Sequence, residues 1–111
     1  MTSKKLILDG ERLKIEDIVS LARDDSVTVE VPAKILERVS RAHEFLKSES
    51  TKRVIYGVNT GFGPMVSHLI GKNQLVDLQY NLVRSHATGV GEPISPAFSL
   101  AAMVVRLNTF L

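Results

Sequence analysis

The sequence predicts a mainly helical protein with a small β element at its N-terminus. Apolar side chains recur at helical spacing over residues 32–47 and 73–87 and fill nearly every side of 97–111. Strict alternation is confined to Val27, Val29 and Val31, and Asp9-Gly10 sits between two short apolar runs. With 44% hydrophobic and 23% charged residues, the 111-residue chain has the make-up of one folded domain, or of part of a larger one.

Leu6-Ile7-Leu8, Asp9-Gly10 and Leu13 read as a strand, a turn and a return, because Asp-Gly readily supplies the positive φ of a hairpin. Apolar positions 15, 18, 19 and 22 mark a short amphipathic helix that Asp24-Asp25 break. Val27, Val29 and Val31 alternate with Thr28 and Glu30 as in a half-buried strand, which Pro32 ends. The same proline opens a helix to about Lys47, with apolar residues at 35, 36, 39, 42 and 46. Between Ser48 and Gly71 the turn formers Gly57, Asn59, Gly61, Gly63 and Pro64 predict a long loop, of the length that tends to be functional. From Asn73 to Ala87 the residues Leu75, Leu78, Leu82 and His86 share one helical stripe, and Gly89 is placed to end the helix. Ser95 caps a last helix with Pro96 just inside it. A helix apolar all round has to be buried by other elements, and this one reaches Leu111 with no stop signal, so the chain reads as cut within a helix.

Several function classes are disfavoured. Fourteen basic against twelve acidic residues give a formal charge of +2 with no long run of one sign, which offers little to nucleic acid or an anionic membrane. Four Phe, two Tyr and no Trp make a poor base-stacking platform. The lack of cysteine excludes a disulfide framework, a thiolate zinc site and a Cys nucleophile, and favours a cytoplasmic protein. Lys4-Lys5 precede only three apolar residues, so there is no signal-peptide core, and Ala97 to Val105 falls far short of the ~20 residues of a membrane span.

The glycines do not form a nucleotide loop. A dinucleotide fingerprint from Gly61 would need Gly or Ala at Val66, one from Gly89 would need it at Ile94, and Gly71-Lys72 is followed by Asn73 rather than Ser or Thr. His43, His68 and His86 have no metal-ligand spacing, so no metal is expected. Ser85 and His86 are helix neighbours about 100° apart, a poor nucleophile and base pair. Two side chains stay open to two readings each. Tyr56, at the head of the glycine-rich loop, is either an anchor packing its ring on the core or a phenol that the loop carries to a ligand. An unperturbed phenol ionises near ~10, so base catalysis would need a site that stabilises the phenolate. His86 is either a half-buried histidine bonded to a backbone carbonyl or a group that holds a polar substrate tip, and both readings predict burial.

The run Tyr56-Gly57-Val58-Asn59-Thr60-Gly61-Phe62-Gly63, followed by Asn81-Leu82-Val83-Arg84-Ser85-His86-Ala87-Thr88-Gly89-Val90-Gly91-Glu92-Pro93, resembles two motifs of the aromatic amino acid ammonia-lyase and aminomutase family. They occur in the family's order and spacing, and the resemblance covers essentially the whole chain. It implies that residues 1–111 are the N-terminal region of a helical lyase that assembles as a homotetramer. Members use an electrophilic methylidene-imidazolone group made by cyclisation of an internal Ala-Ser-Gly. The resemblance implies that Tyr56 is the catalytic acid/base on a mobile lid over about 52–71. Gly57, Asn59, Gly61, Phe62 and Gly63 would form that lid, the glycines giving it hinge freedom. Ser85 and His86 would bind the substrate side chain, as in histidine-specific members, so the expected reaction is deamination of L-histidine to trans-urocanate and ammonia. Two departures bear on this. Ala-Ser-Gly occurs nowhere in the chain, so the electrophile is not encoded in it. Arg84 stands where many histidine-specific members are apolar, and some tyrosine aminomutases carry a Ser-His pair, so a tyrosine ammonia-lyase or 2,3-aminomutase is the alternative. A non-catalytic helical binding module is the second alternative.

Overall fold

The computed structural model describes residues 4–111. The chain divides into two compact units, Met1–Ala42 with Glu92–Leu111, and His43–Gly91. Both are dominated by helices, and the only sheet among the described residues has two strands.

In the first unit, β1 (Lys5–Ile7) and β2 (Thr28–Glu30) pair in parallel, with Lys5 opposite Thr28, Leu6 opposite Val29 and Ile7 opposite Glu30. Helix α1 (Ile15–Arg23) makes the crossover between them. This corrects the hairpin expected at Asp9-Gly10. The turn itself forms, with Gly10 at φ 87°. The Asp9 carboxylate accepts the N–H groups of Glu11 and Arg12 at 2.9 and 3.0 Å, which turns the chain away from β1. The N–H of Gly10 bonds the Asn108 Oδ1 at 3.0 Å, where a hairpin would need a returning strand. A Cβ at position 10 would lie 2.7 Å from the carbonyl carbon of Leu111, so only glycine fits. Hydrogen bonds from the N–H groups of Arg12 and then Glu11 hold the Asp9 carboxyl below its ordinary range.

Alternation along β1 points Leu6 and Leu8 inward and leaves Ile7 exposed. With Leu21 of α1, Val27, and Val104 of α4 (Pro96–Asn108), they form the core, flanked by Leu13, Val31 and Leu111. Leu8 is fully buried, a burial that contributes about 1.5–3 kcal/mol. Val29, expected to be half-buried with its neighbours, is exposed, because a two-stranded sheet offers too little surface to cover it. Helix α1 starts where predicted, and the Asp17 carboxylate accepts the Lys14 N–H at 3.2 Å to close its first turn.

Helix α4 follows Ser95, although the Ser95 hydroxyl makes no cap bond. It stops at Asn108, short of the expected Leu111. There the Thr109 N–H bonds the carbonyls of Val105 and Arg106, its hydroxyl caps Arg106 at 2.7 Å, and the Phe110 N–H reaches Leu107. The Arg38 guanidinium then bonds the carbonyls of both Asp9 and Leu111. Val104 is buried while Phe98 and Met103 are exposed, so the described residues cover one side of this apolar helix.

Helix α2 (Ala33–Glu49) opens on the Pro32 carbonyl, which accepts from Ile35 at 2.8 Å. Its end, the loop and α3 (Leu75–His86) make up the second unit, with 3-10 turns at Gly63–Met65 and Lys72–Gln74. Helix α3 ends on an Ala87 N–H bond to Val83 at 2.9 Å. Gly89 does not terminate it as expected: Ala87 leaves the helix at φ −79°, ψ 55° without a left-handed residue, and positive φ appears only at Gly91. No helix among the described residues is long and apolar enough to cross a membrane.

Candidate functional site

The glycine-rich segment is built around one side chain amide. Residues 55–59 form a turn in which the N–H groups of Val58 and Asn59 bond the Ile55 carbonyl at 3.1 and 3.2 Å. The Asn59 Oδ1 accepts the Ile55 N–H at 2.7 Å, and its Nδ2 donates to the carbonyls of Ser50 and Arg53 at 2.8 and 2.9 Å. Asn59 thus ties the turn to the end of α2. Thr60, 1% exposed, accepts the Gly57 N–H at 3.1 Å and donates to the Gly61 carbonyl at 2.8 Å. Antiparallel pairing of Thr60 with Leu69 closes the far side, through Gly61 N–H to His68 at 2.9 Å and Ile70 N–H to Asn59 at 3.0 Å.

Three glycines in this segment are required by geometry. Gly57 and Gly63 adopt φ 75° and 52°, and a Cβ on Gly61 would run into the Met65 carbonyl oxygen and lie 2.8 Å from the Met65 Cβ. The loop expected over 52–71 is therefore a braced series of turns.

Tyr56 stands at the head of these turns, 62% exposed. Its ring meets Phe62 edge-on, with centroids 6.1 Å apart and planes at 78°. The Gly63 N–H points at its hydroxyl from 3.4 Å, the long limit of a hydrogen bond. The main chain beside it is held from α3, where the Gln79 Nε2 donates to the Gly57 carbonyl at 2.9 Å.

Ser85 and His86 end α3. The His86 Nδ1 lies 2.8 Å from the Leu82 carbonyl and 3.1 Å from the Ser85 Oγ, which itself donates to that carbonyl at 2.9 Å. Because a carbonyl only accepts, Nδ1 is the donor in this contact, an arrangement that in the neutral ring leaves the lone pair on Nε2. The two side chains touch, contrary to the separation expected of helix neighbours. They are still no nucleophile and base, since the nitrogen facing the hydroxyl carries a proton. His86, the last residue of α3, is exposed, which corrects the burial expected of it. No hydrogen bond or ring contact joins Tyr56 to His86 among the described residues.

Two grooves of this unit are lined without Tyr56, Ser85 or His86. One, of about 540 Å3, lies between the end of α2 and α3, with Leu46, Val76 and Tyr80 in its wall; the other, of about 350 Å3, runs past Arg53 and Leu69. The buried Glu49 carboxylate pairs with Lys52 and Arg53, and the Lys52 hydrogen bond leads in holding its carboxyl below the ordinary 4.5. No cluster of three His, Asp or Glu that could hold a metal occurs among the described residues. Sequence reasoning missed the clamps made by Asn59, Thr60 and Gln79. Asn59 stood out only as a turn former, and nothing local marks Gln79.

The sequence profile of the aromatic amino acid lyase family matches residues 13–111, and the chain belongs to that family. It is 44% identical over 107 residues to a histidine ammonia-lyase of Staphylococcus saprophyticus, covering 96% of this chain and 21% of that protein. A histidine ammonia-lyase of Staphylococcus aureus is likewise 44% identical over 110 residues. The chain therefore spans about a fifth of the length of these curated relatives.

Solved relatives share the fold. A tyrosine aminomutase from Streptomyces globisporus superposes with a TM-score of 0.85 at 35% identity, over 94% of this chain and 20% of that one. The histidine ammonia-lyase of Trypanosoma cruzi superposes with a TM-score of 0.78 at 32% identity, over the same shares.

Proposed function

We propose that this chain is the N-terminal part of a histidine ammonia-lyase that converts L-histidine to trans-urocanate and ammonia. The observation that carries this reading is the 44% identity to staphylococcal histidine ammonia-lyases along nearly the whole chain, which holds both the Tyr56 run and the Ser85-His86 pair. Tyr56 acts as the acid/base that moves a proton at the substrate β-carbon, and its exposed side chain is open to a ligand. His86 presents Nε2 as an acceptor suited to an imidazole N–H, with Ser85 beside it. The turns over 52–71 serve as the lid.

Ala-Ser-Gly is absent from the 111 residues, so these residues do not build a methylidene-imidazolone, and the longer protein supplies it. That protein works as a cytoplasmic homotetramer. The test is product analysis of the full-length protein given L-histidine and L-tyrosine separately: urocanate with ammonia from histidine is expected. A tyrosine ammonia-lyase or 2,3-aminomutase is the second reading, supported by the superposition on the Streptomyces enzyme. Coumarate or a β-amino acid from tyrosine would establish it in place of the first, and no turnover of either would favour a non-catalytic binding module.

A further inference from the structure

Tyr56 and His86 lie on different pieces of chain, and one hydrogen bond connects those pieces close to the tyrosine. The Gln79 Nε2 donates to the Gly57 carbonyl at 2.9 Å, and Gly57 immediately follows Tyr56. Gln79 and His86 are seven residues apart on α3. Seven residues make almost two full turns, so both side chains leave the same face, about 10.5 Å apart along the axis. The other two clamps on the turn, Asn59 and Thr60, belong to the turn itself and bond its own neighbourhood. Among the described residues, it is the Gln79 hydrogen bond that refers the tyrosine's backbone to the helix that carries Ser85 and His86. The bond has a fixed polarity: a carbonyl can only accept, so the side chain must present its NH2 group, which a carboxylate lacks. Gly57 itself adopts φ 75°, and a side chain there would crowd Phe62, 3.2 Å from the ideal Cβ.

We propose that Gln79 is a positioning residue, which sets the height of Tyr56 above the side-chain site at His86 by holding the Gly57 carbonyl. This rests on the lyase reading for the catalytic role of Tyr56, while the clamp itself is independent of it. Misplacing a proton-transfer group slows chemistry more than binding, so the effect falls on kcat and spares KM. In the full-length protein, Gln79→Leu and Gln79→Glu are expected to lower kcat about three- to tenfold, the size of one net hydrogen bond, with KM within about twofold. Gln79→Lys, which restores a donor, recovers most of the loss.

Two measurements separate the clamp from general destabilisation and from failure of the lyase reading. Hydrogen exchange of the amides over 55–61 should quicken in Gln79→Leu while amides in α2 keep their protection. In a Tyr56→Phe background, Gln79→Leu should lower turnover no further, because it acts through the missing hydroxyl. Unchanged exchange over 55–61 overturns the clamp whatever the activity. Faster exchange with unchanged kcat, or full additivity with Tyr56→Phe, overturns the positioning role. If Tyr56→Phe alone leaves turnover intact, the lyase reading of Tyr56 fails and takes the positioning role with it, whereas the clamp is still decided by exchange.

Discussion

Replacing Asn59 by alanine removes three main-chain hydrogen bonds at once, those of the Ile55 N–H and of the Ser50 and Arg53 carbonyls. A net hydrogen bond contributes about 1 kcal/mol. The bond to Arg53 is exposed and counts for less, so the loss comes to about 2–3 kcal/mol of local stability. Expressed as opening of the turn, this is a factor of about 30 to 150 in the exchange rate of the Ile55 amide. Native-state hydrogen exchange on the full-length protein reads it, because local opening is measured without global unfolding. Asn59→Asp separates the parts: it keeps an acceptor for the Ile55 N–H but loses both donors, so Ile55 should stay better protected than in Asn59→Ala. A change of less than about threefold at Ile55 in Asn59→Ala would refute the idea that this amide braces the turn.

Tyr56→Phe should remove most turnover of the full-length protein and leave its circular dichroism unchanged; full activity would reduce Tyr56 to a ring packed on Phe62. Gly61→Ala drives a Cβ into the Met65 carbonyl and should cost about 1–3 kcal/mol in chemical denaturation, whereas Gly89→Ala, with open space around it, should stay within about 0.5 kcal/mol. Glu49 is lowered by Lys52 first, so its stabilisation is complete above the ordinary 4.5 and is lost as pH falls through the lower folded value. Glu49→Gln should therefore flatten the acid limb of stability below the ordinary 4.5 and leave the slope near neutrality unaltered. Leu8→Ala should destabilise the first unit by about 2–5 kcal/mol, read from the exchange of the β1 and β2 amides.

Helices were legible because their signal is local. Ile15, Ile18, Val19 and Ala22 recur at helical spacing whatever lies opposite, and α1 begins and ends within one residue of that pattern, although the residue it buries is Leu21 while Ile15 and Val19 are exposed. Strand partnership was not legible, since Asp9-Gly10 specifies a turn but not which strand will pair with β1. The choice was made far away, by Asn108 on the Gly10 N–H and by the register of Leu6 with Val29. Gly89 misled for a related reason: a glycine near a helix end permits a left-handed exit, and α3 closed before using it. In the candidate site, Tyr56 and the Ser85-His86 pair were visible as motifs, with the chemistry drawn from resemblance. The roles of Thr60 and Gln79 depend on which carbonyls and amides come within about 3 Å in space, which neither periodicity nor composition encodes.

The bond between Gly10 and Asn108 spans 98 positions, and that separation orders the birth of the molecule. A ribosome delivers residues 43–91 as one uninterrupted stretch, so the tyrosine turn and α3 can settle while the polymer is still emerging. Leu6, Leu8 and Leu21 must wait for Val104 before their apolar surface is sealed. Closing so wide a loop costs about 2 kcal/mol more entropy than closing one of about ten residues. Those leucines are thus made before residues 43–91 and sealed after them, and for that interval they are the stretch that a chaperone would meet.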